Sequence, residues 1–264
     1  MSIECRMRSR KTLVGALIAL VAVGGLGYSG YRVWRHFSAV APAAAPRTAV
    51  VIGAPTAAPA TAAPTPVPTL PPSVFVKVPY TSQFPFSQFG AGDPHENYCE
   101  AAALEMVSQY FKGDTRDRIP PAEADSAMGS IVSAERKDFP GVMDLPLTSV
   151  ASVGTQLFGL KPTVSPVDLQ QIETSLAAGR PVLVPVMTHL PNGTKIAPFY
   201  GNTGVYHVIV ITGYDSAKNL LYTNDAGFIQ GQNYSYTWSQ LSAAIDAQTL
   251  KYPQGRVMLV FDRS

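Results

Sequence analysis

The chain has 264 residues, room for one large domain or two small ones with accessory segments. Lys and Arg total 20 against 18 Asp and Glu, a formal charge of +2, so nothing calls for nucleic acid as a partner. The cysteines, Cys5 and Cys99, are too few for a disulfide framework or a multi-cysteine zinc site within one chain.

Charge is unevenly placed. Residues 1 to 72 carry seven cations (Arg6, Arg8, Arg10, Lys11, Arg32, Arg35, Arg47) and one anion, Glu4, which leaves the remainder mildly acidic. After the basic tail 1–11, Thr12 to Tyr31 is a twenty-residue run without a charge, the length a helix needs to cross about 30 Å of hydrocarbon. Four cations precede it closely and two follow, which favours a cytoplasmic N-terminus. A cleavable signal peptide with a site at Ala39-Val40-Ala41 is the competing reading. The long apolar run, the intervening Arg35 and His36, and Pro42 after the site all favour a retained anchor. Residues 32–72 form a linker whose Ser38–Pro72 stretch holds twelve alanines and nine prolines. Such a composition cannot bury a core, and its prolines bias it to polyproline II, with a reach of about 100 Å if extended. The expected arrangement is a domain, 73–264, carried outside the cell on a stalk.

From Ser73 the pattern becomes periodic. Val74, Val76 and Val78 alternate as a short strand, and a polar loop follows from Tyr80 to Asn97. Cys99 to Lys112 predicts a helix, with Gly113 at its end and Asn97–Glu100 as a capping box at its start. Further helices are expected over Ala122–Lys137 and Thr148–Phe158. A fourth, opening on Ser165, Pro166 and Asp168, should end near Ala178. Then come strands: Pro181–Thr188, Val205–Tyr214, Leu220–Asn224 and Arg256–Phe261, with a helix over Thr237–Ala247. Helices first and antiparallel strands afterwards define an α+β domain. There is no phosphate-binding glycine loop and no GxSxG serine motif.

Cys99 is the one cysteine beyond the tail. It is either a small buried hydrophobe or, at a helix start where unpaired N–H groups and the dipole favour thiolate, a nucleophile. Of the domain's histidines, His95 and His189 sit in loops, whereas His207 interrupts an apolar strand. A rigid strand places an imidazole better than a loop does. Asp225 lies eighteen residues on, just past the next strand, where antiparallel pairing can bring its carboxylate to the ring. A cysteine–histidine–aspartate set activates the thiol and fixes the imidazole tautomer. Three histidines without HxxxH spacing make a catalytic zinc improbable. Phe84, Phe86 and Phe89 around Gln83 more often pack than bind ligand.

Taken together, KVPYTSQ, NYCEAAALEMVSQYF, SLAAGRPVLVPV, YHVIVITGYD and YTND, in that order, resemble the C-thirty-nine-like cysteine peptidases. These are relatives of the double-glycine leader peptidases of bacteriocin exporters. The resemblance covers roughly residues 74 to 261. It implies a papain-like fold with helices packed on an antiparallel sheet, a peptide or protein substrate and no cofactor. It also implies Cys99 as nucleophile, His207 as base, Asp225 as the residue orienting it, and Gln83 at the oxyanion hole, with Gln88 in reserve. Cys99-Glu100-Ala101 departs from the exporters' Cys-Gly-Pro and matches stand-alone members, and Ala226 stands where proline is common. The expected activity is that of a membrane-anchored extracytoplasmic peptidase. The alternatives are an acyl- or peptidyl-transferase using the same nucleophile, or an inactive peptide-binding module at the cell surface. Oligomeric state has no sequence signal.

Overall fold

The structure, a computed structural model, describes residues 69–86 and 93–263. The basic tail with Cys5, the apolar run Thr12–Tyr31, most of the Ala/Pro stretch, and Gln88 and Phe89 lie outside the described residues. Among the described residues, no helix is long and apolar enough to cross a membrane. In chain order the elements are β1 (Ser73–Phe75), α1 (Cys99–Lys112), α2 (Pro121–Asp138), α3 (Leu147–Phe158), β2 (Lys161–Pro166) and α4 (Leu169–Ala177). They continue with β3 (Val182–Met187), β4 (Tyr206–Asp215), β5 (Leu220–Asn224), β6 (Tyr234–Thr237), α5 (Trp238–Thr249) and β7 (Val257–Asp262).

The strands form one antiparallel sheet in the order β2-β7-β3-β4-β5-β6, with β1 added on β4. β4 organises it. β3 pairs along residues 206–211 of β4 and β1 takes over at 213–215, while β5 pairs with 210–215. The register shifts between Ile211 and Gly213. A side chain at Gly213 would meet the Val74 carbonyl oxygen at 2.5 Å, so only glycine lets β1 approach. The apolar run of β3, and that of β4 interrupted by His207 and Thr212, are explained by burial: every residue of β3, and the first nine of β4, is buried. Pro185 survives in the middle of β3 because β7 pairs only with Val182 and Leu183, so the N–H that proline lacks is not needed there.

Local sequence sets the helix ends. Gly113, at φ 87°, closes α1 by donating to the Gln109 and Tyr110 carbonyls. Thr237 and Gln240 form a reciprocal capping box at α5. Two expectations need correction. α1 begins after Tyr98 with no side-chain cap, so Asn97 and Glu100 form no capping box. Ser165 and Pro166 do not open a helix; they end β2, and α4 starts at Asp168, whose carboxylate accepts from Gln171 N–H at 2.8 Å. Prolines at 162 and 166 are tolerated because β2 is the edge strand of the sheet.

Before α1 the chain forms a strap across the C-terminal half. Val76 N–H donates to the Thr212 carbonyl, and the Val78 carbonyl accepts from Asn224 Nδ2. Tyr80 hydroxyl donates to the carbonyls of Asp225 and Phe228, and Gln83 N–H donates to the Ala226 carbonyl. The expected strand Val74–Val78 narrows to β1, its second half becoming part of this strap.

Candidate active site

The strap, the start of α1 and the start of β4 meet around a cavity of about 510 Å³. Gln83 from the strap, Cys99 from α1 and His207 from β4 all line it. Asp225, fully buried at the end of β5, lies behind the imidazole, with His207 Nε2 and Asp225 Oδ1 2.8 Å apart. With Nε2 held by the carboxylate, Nδ1 is the ring nitrogen left for the cavity side.

Asp225 is densely held. Its Oδ2 accepts from the hydroxyls of Tyr200 (2.6 Å) and Tyr236 (2.7 Å), and its Oδ1 also accepts from Gly227 N–H (3.0 Å). Burial pushes this carboxyl up, but the His207 charge and the hydrogen bonds from His207, Tyr200 and Tyr236 outweigh it. Its pKa therefore lies below the ordinary aspartate value. Gly227 lets the turn close on the pair: a Cβ there would stand 3.2 Å from Asp225 Oδ1 and 3.4 Å from His207 Nε2.

Cys99 is only 4% exposed and does not rest as the helix-start argument expects. Its Sγ donates to Glu100 Oε2 at 2.9 Å, and Glu100 Oε1 accepts from Leu145 N–H at 2.8 Å. Burial, and then the Glu100 charge and its hydrogen bond, push the thiol well above the ordinary cysteine pKa. The expectation of a resting thiolate is thereby corrected: the low dielectric and an adjacent carboxylate override the helix dipole. Burial likewise raises Glu100 to about 7.

Gln83 is buried, but its amide nitrogen donates to the carbonyls of His95 (2.9 Å) and Glu96 (3.1 Å). The amide that the resemblance assigns to the oxyanion hole thus ties down the loop before Cys99. The other histidines have separate surroundings. His95 bridges Asp93 and Asp125, both at 2.7 Å, and its pKa is raised because those bonds outweigh the cost of burial. His189 faces Thr188 Oγ1 through Nδ1, while its buried Nε2 has no partner. Phe84 packs in the core and also lines the cavity, whereas Phe86 is exposed.

Sequence reasoning missed Glu100 as a partner of the thiol, along with Tyr200 and Tyr236. The Cys-Glu dipeptide was a signal for the first; the two tyrosines, in a loop and a short edge strand, gave none. Among the described residues, no cluster of His, Cys, Asp or Glu is arranged to hold a metal ion.

The fold is thus a set of helices packed on an antiparallel sheet, with Cys99, the His207–Asp225 pair and Gln83 gathered about one cavity. A family model described as the Peptidase_C39 like family matches residues 75–249, and the chain belongs to that family. Among solved structures it is similar to a Bacillus anthracis protein described as a C39-like peptidase, at 15% identity and a TM-score of 0.47. That match covers 73% of this chain and 98% of the other. It is also similar to xylellain, a cysteine protease from Xylella fastidiosa, at 13% identity and a TM-score of 0.35, covering 74% and 87%. No curated protein matches the chain.

Proposed function

We propose that the protein is a cysteine peptidase that cleaves peptide bonds with Cys99, His207 and Asp225. The observation that carries this reading is the buried His207–Asp225 pair, 2.8 Å apart, on the same cavity as the Cys99 thiol. In this mechanism the Sγ proton passes to His207 as sulfur bonds to the substrate carbonyl carbon. The developing oxyanion is met by Cys99 N–H and by Gln83, whose amide exchanges a loop carbonyl for the substrate oxygen. His207 then protonates the leaving amine, and the C–N bond breaks to give an acyl-thioester. Water, deprotonated by His207, attacks that ester and returns the thiol. Asp225 holds the imidazole tautomer and stabilises the imidazolium.

The test is hydrolysis of a mixed peptide library by the full chain, read by mass spectrometry. Cys99→Ala and His207→Gln should abolish cleavage with the fold intact, whereas His95→Gln and His189→Gln should retain it. Cleavage surviving in Cys99→Ala overturns the reading. A peptide amine supplied in excess and appearing in ligated products would favour transfer over hydrolysis.

The proposal extends to location: Thr12–Tyr31 as a retained membrane helix, with the domain outside the cell on its Ala/Pro stalk. The charge difference across the apolar run supports it. Protease added to intact spheroplasts should shave the domain from a membrane-bound stub, and protection until lysis refutes that orientation.

A further inference from the structure

The hydrogen bond of the thiol is the feature that the mechanism above leaves unused. Cys99 Sγ–H points at Glu100 Oε2, and the other carboxylate oxygen is fixed by Leu145 N–H. Glu100 is 2% exposed, so it is a buried carboxyl; it accepts from the Cys99 thiol, Leu145 N–H and its own backbone N–H, and among the described residues no cation pairs with it. We propose that Glu100 is a positioning residue for the nucleophile: its carboxylate latches the Cys99 thiol in the protonated form, and releases it when the carboxyl group takes up a proton. This rests on the assignment of Cys99 as nucleophile.

The physical argument is one of charge and direction. A carboxylate next to sulfur accepts the S–H proton and repels a thiolate, so it favours the resting thiol. Once protonated, Glu100 loses its charge and becomes a donor, which removes the repulsion and lets sulfur ionise toward His207. The ionisable groups facing Glu100 reinforce this. They are Cys99 on its own helix, Glu135 on α2, Asp144 before α3, Tyr206 on β4 and Tyr252 after α5. Burial and then the charge of Asp144 favour proton uptake by Glu100, in keeping with a titration at about 7, whereas Glu135, itself raised to about 8, repels it only once ionised. Lys251 lies on the cavity lining and supplies a cation there.

Glu100→Gln is a directional test. Leu145 N–H needs an acceptor, which places the amide oxygen on that side and turns the amide nitrogen, a donor, toward sulfur. The substitution therefore replaces an acceptor that favours thiol by a donor that favours thiolate. Iodoacetamide labelling of the full chain, resolved at the Cys99 peptide by mass spectrometry, should be followed from pH 5 to 10 in wild type and variant. Each unit by which the thiol pKa falls raises the thiolate fraction about tenfold at neutral pH, and lower nucleophilicity takes back about threefold. We expect labelling at pH 7 to rise about threefold or more, with the profile's midpoint displaced downward. Glu100→Asp, which keeps the charge, should keep the high midpoint. An unchanged or raised midpoint in Glu100→Gln overturns the proposal, whether or not the protein cleaves peptides.

The reciprocal measurement serves if the Gln variant does not fold. The thiol hydrogen bond lowers the Glu100 pKa, so Cys99→Ala should raise the Glu100 carboxyl titration, read by carbon-detected NMR, above about 7. A titration that stays in place refutes the latch.

Discussion

Glu135 carries the most direct stability prediction. It sits on α2, is buried, and its Oε1 has no hydrogen-bond partner. Burial, with the Glu100 charge adding to it, raises this carboxyl from 4.5 to about 8. A folded-state pKa above the unfolded one means that the folded chain binds more protons between those two values. The contribution to stability is thus complete below about 4.5, falls as pH rises, and is lost by about 8. At about 1.4 kcal/mol per unit, the ceiling is on the order of 5 kcal/mol. Glu135→Met removes the charge, keeps the length and suits a helix interior. Relative to wild type it should gain stability from pH 5 to pH 8.5. For a domain of this size each kcal/mol moves Tm by about 2–4 °C, so a gain of even half the ceiling is a shift of several degrees. Thermal melts of both proteins across that range decide it. Glu100, raised in the same direction, leaves a residual slope in the variant, smaller where its coupling to Glu135 is lost. Asp225 acts oppositely, its contribution disappearing only in acid below the ordinary aspartate value. Parallel curves for wild type and Glu135→Met would show that Glu135 is not ionised at a cost, and the reasoning would be wrong.

Other outcomes follow from single contacts. Gly231→Ala would place a methyl 1.8 Å from the Asp225 carbonyl oxygen, so the turn must shift; a loss of about 1–3 kcal/mol in urea unfolding is expected, and a neutral variant contradicts the packing. Tyr236→Phe removes one of the hydroxyl donors on Asp225 and should cost about 1.5–3 kcal/mol, with reduced peptide cleavage through a less firmly held His207. Melting and turnover measured together check it, and wild-type values for both refute it. Thr237→Ala deletes the α5 capping box and should cost about 1 kcal/mol of stability while leaving Cys99 labelling unchanged.

Where local chemistry decides structure, the sequence was readable. β3, β4, β5 and β7 fall within a residue or so of the apolar runs that announce them, and Gly113 and Gly159 close helices where their lack of a side chain allows a positive φ. β2 was hidden because KPTVSP carries two prolines, which only its place at the sheet edge makes acceptable. β6, four residues of YSYT, is too short and too polar to announce itself. At the site, residue type, strand position and family resemblance picked out Cys99, His207, Asp225 and Gln83, and the fold brings them to one region. The thiol's state was not readable. It depends on Glu100 turning inward to meet Leu145 N–H, forty-five residues away, instead of back toward Asn97 as a capping box would. Likewise, the grip of Tyr200 and Tyr236 on Asp225 arises from pairing between distant segments and has no local pattern.

The strap across the C-terminal half has a consequence for biogenesis. Ser82 and Gln83 both bond to the Ala226 carbonyl, and Tyr80 bonds to the carbonyls of Asp225 and Phe228, at separations of 143 to 148 residues. A ribosome adding about 5–20 residues per second needs roughly 7–30 s to cross that interval. For most of that time the nascent chain carries Cys99 without His207 or Asp225, and throughout it lacks the Ala226 anchor for Gln83. A newly made chain therefore brings Cys99, His207 and Asp225 around one cavity only as its last quarter folds back onto the strap.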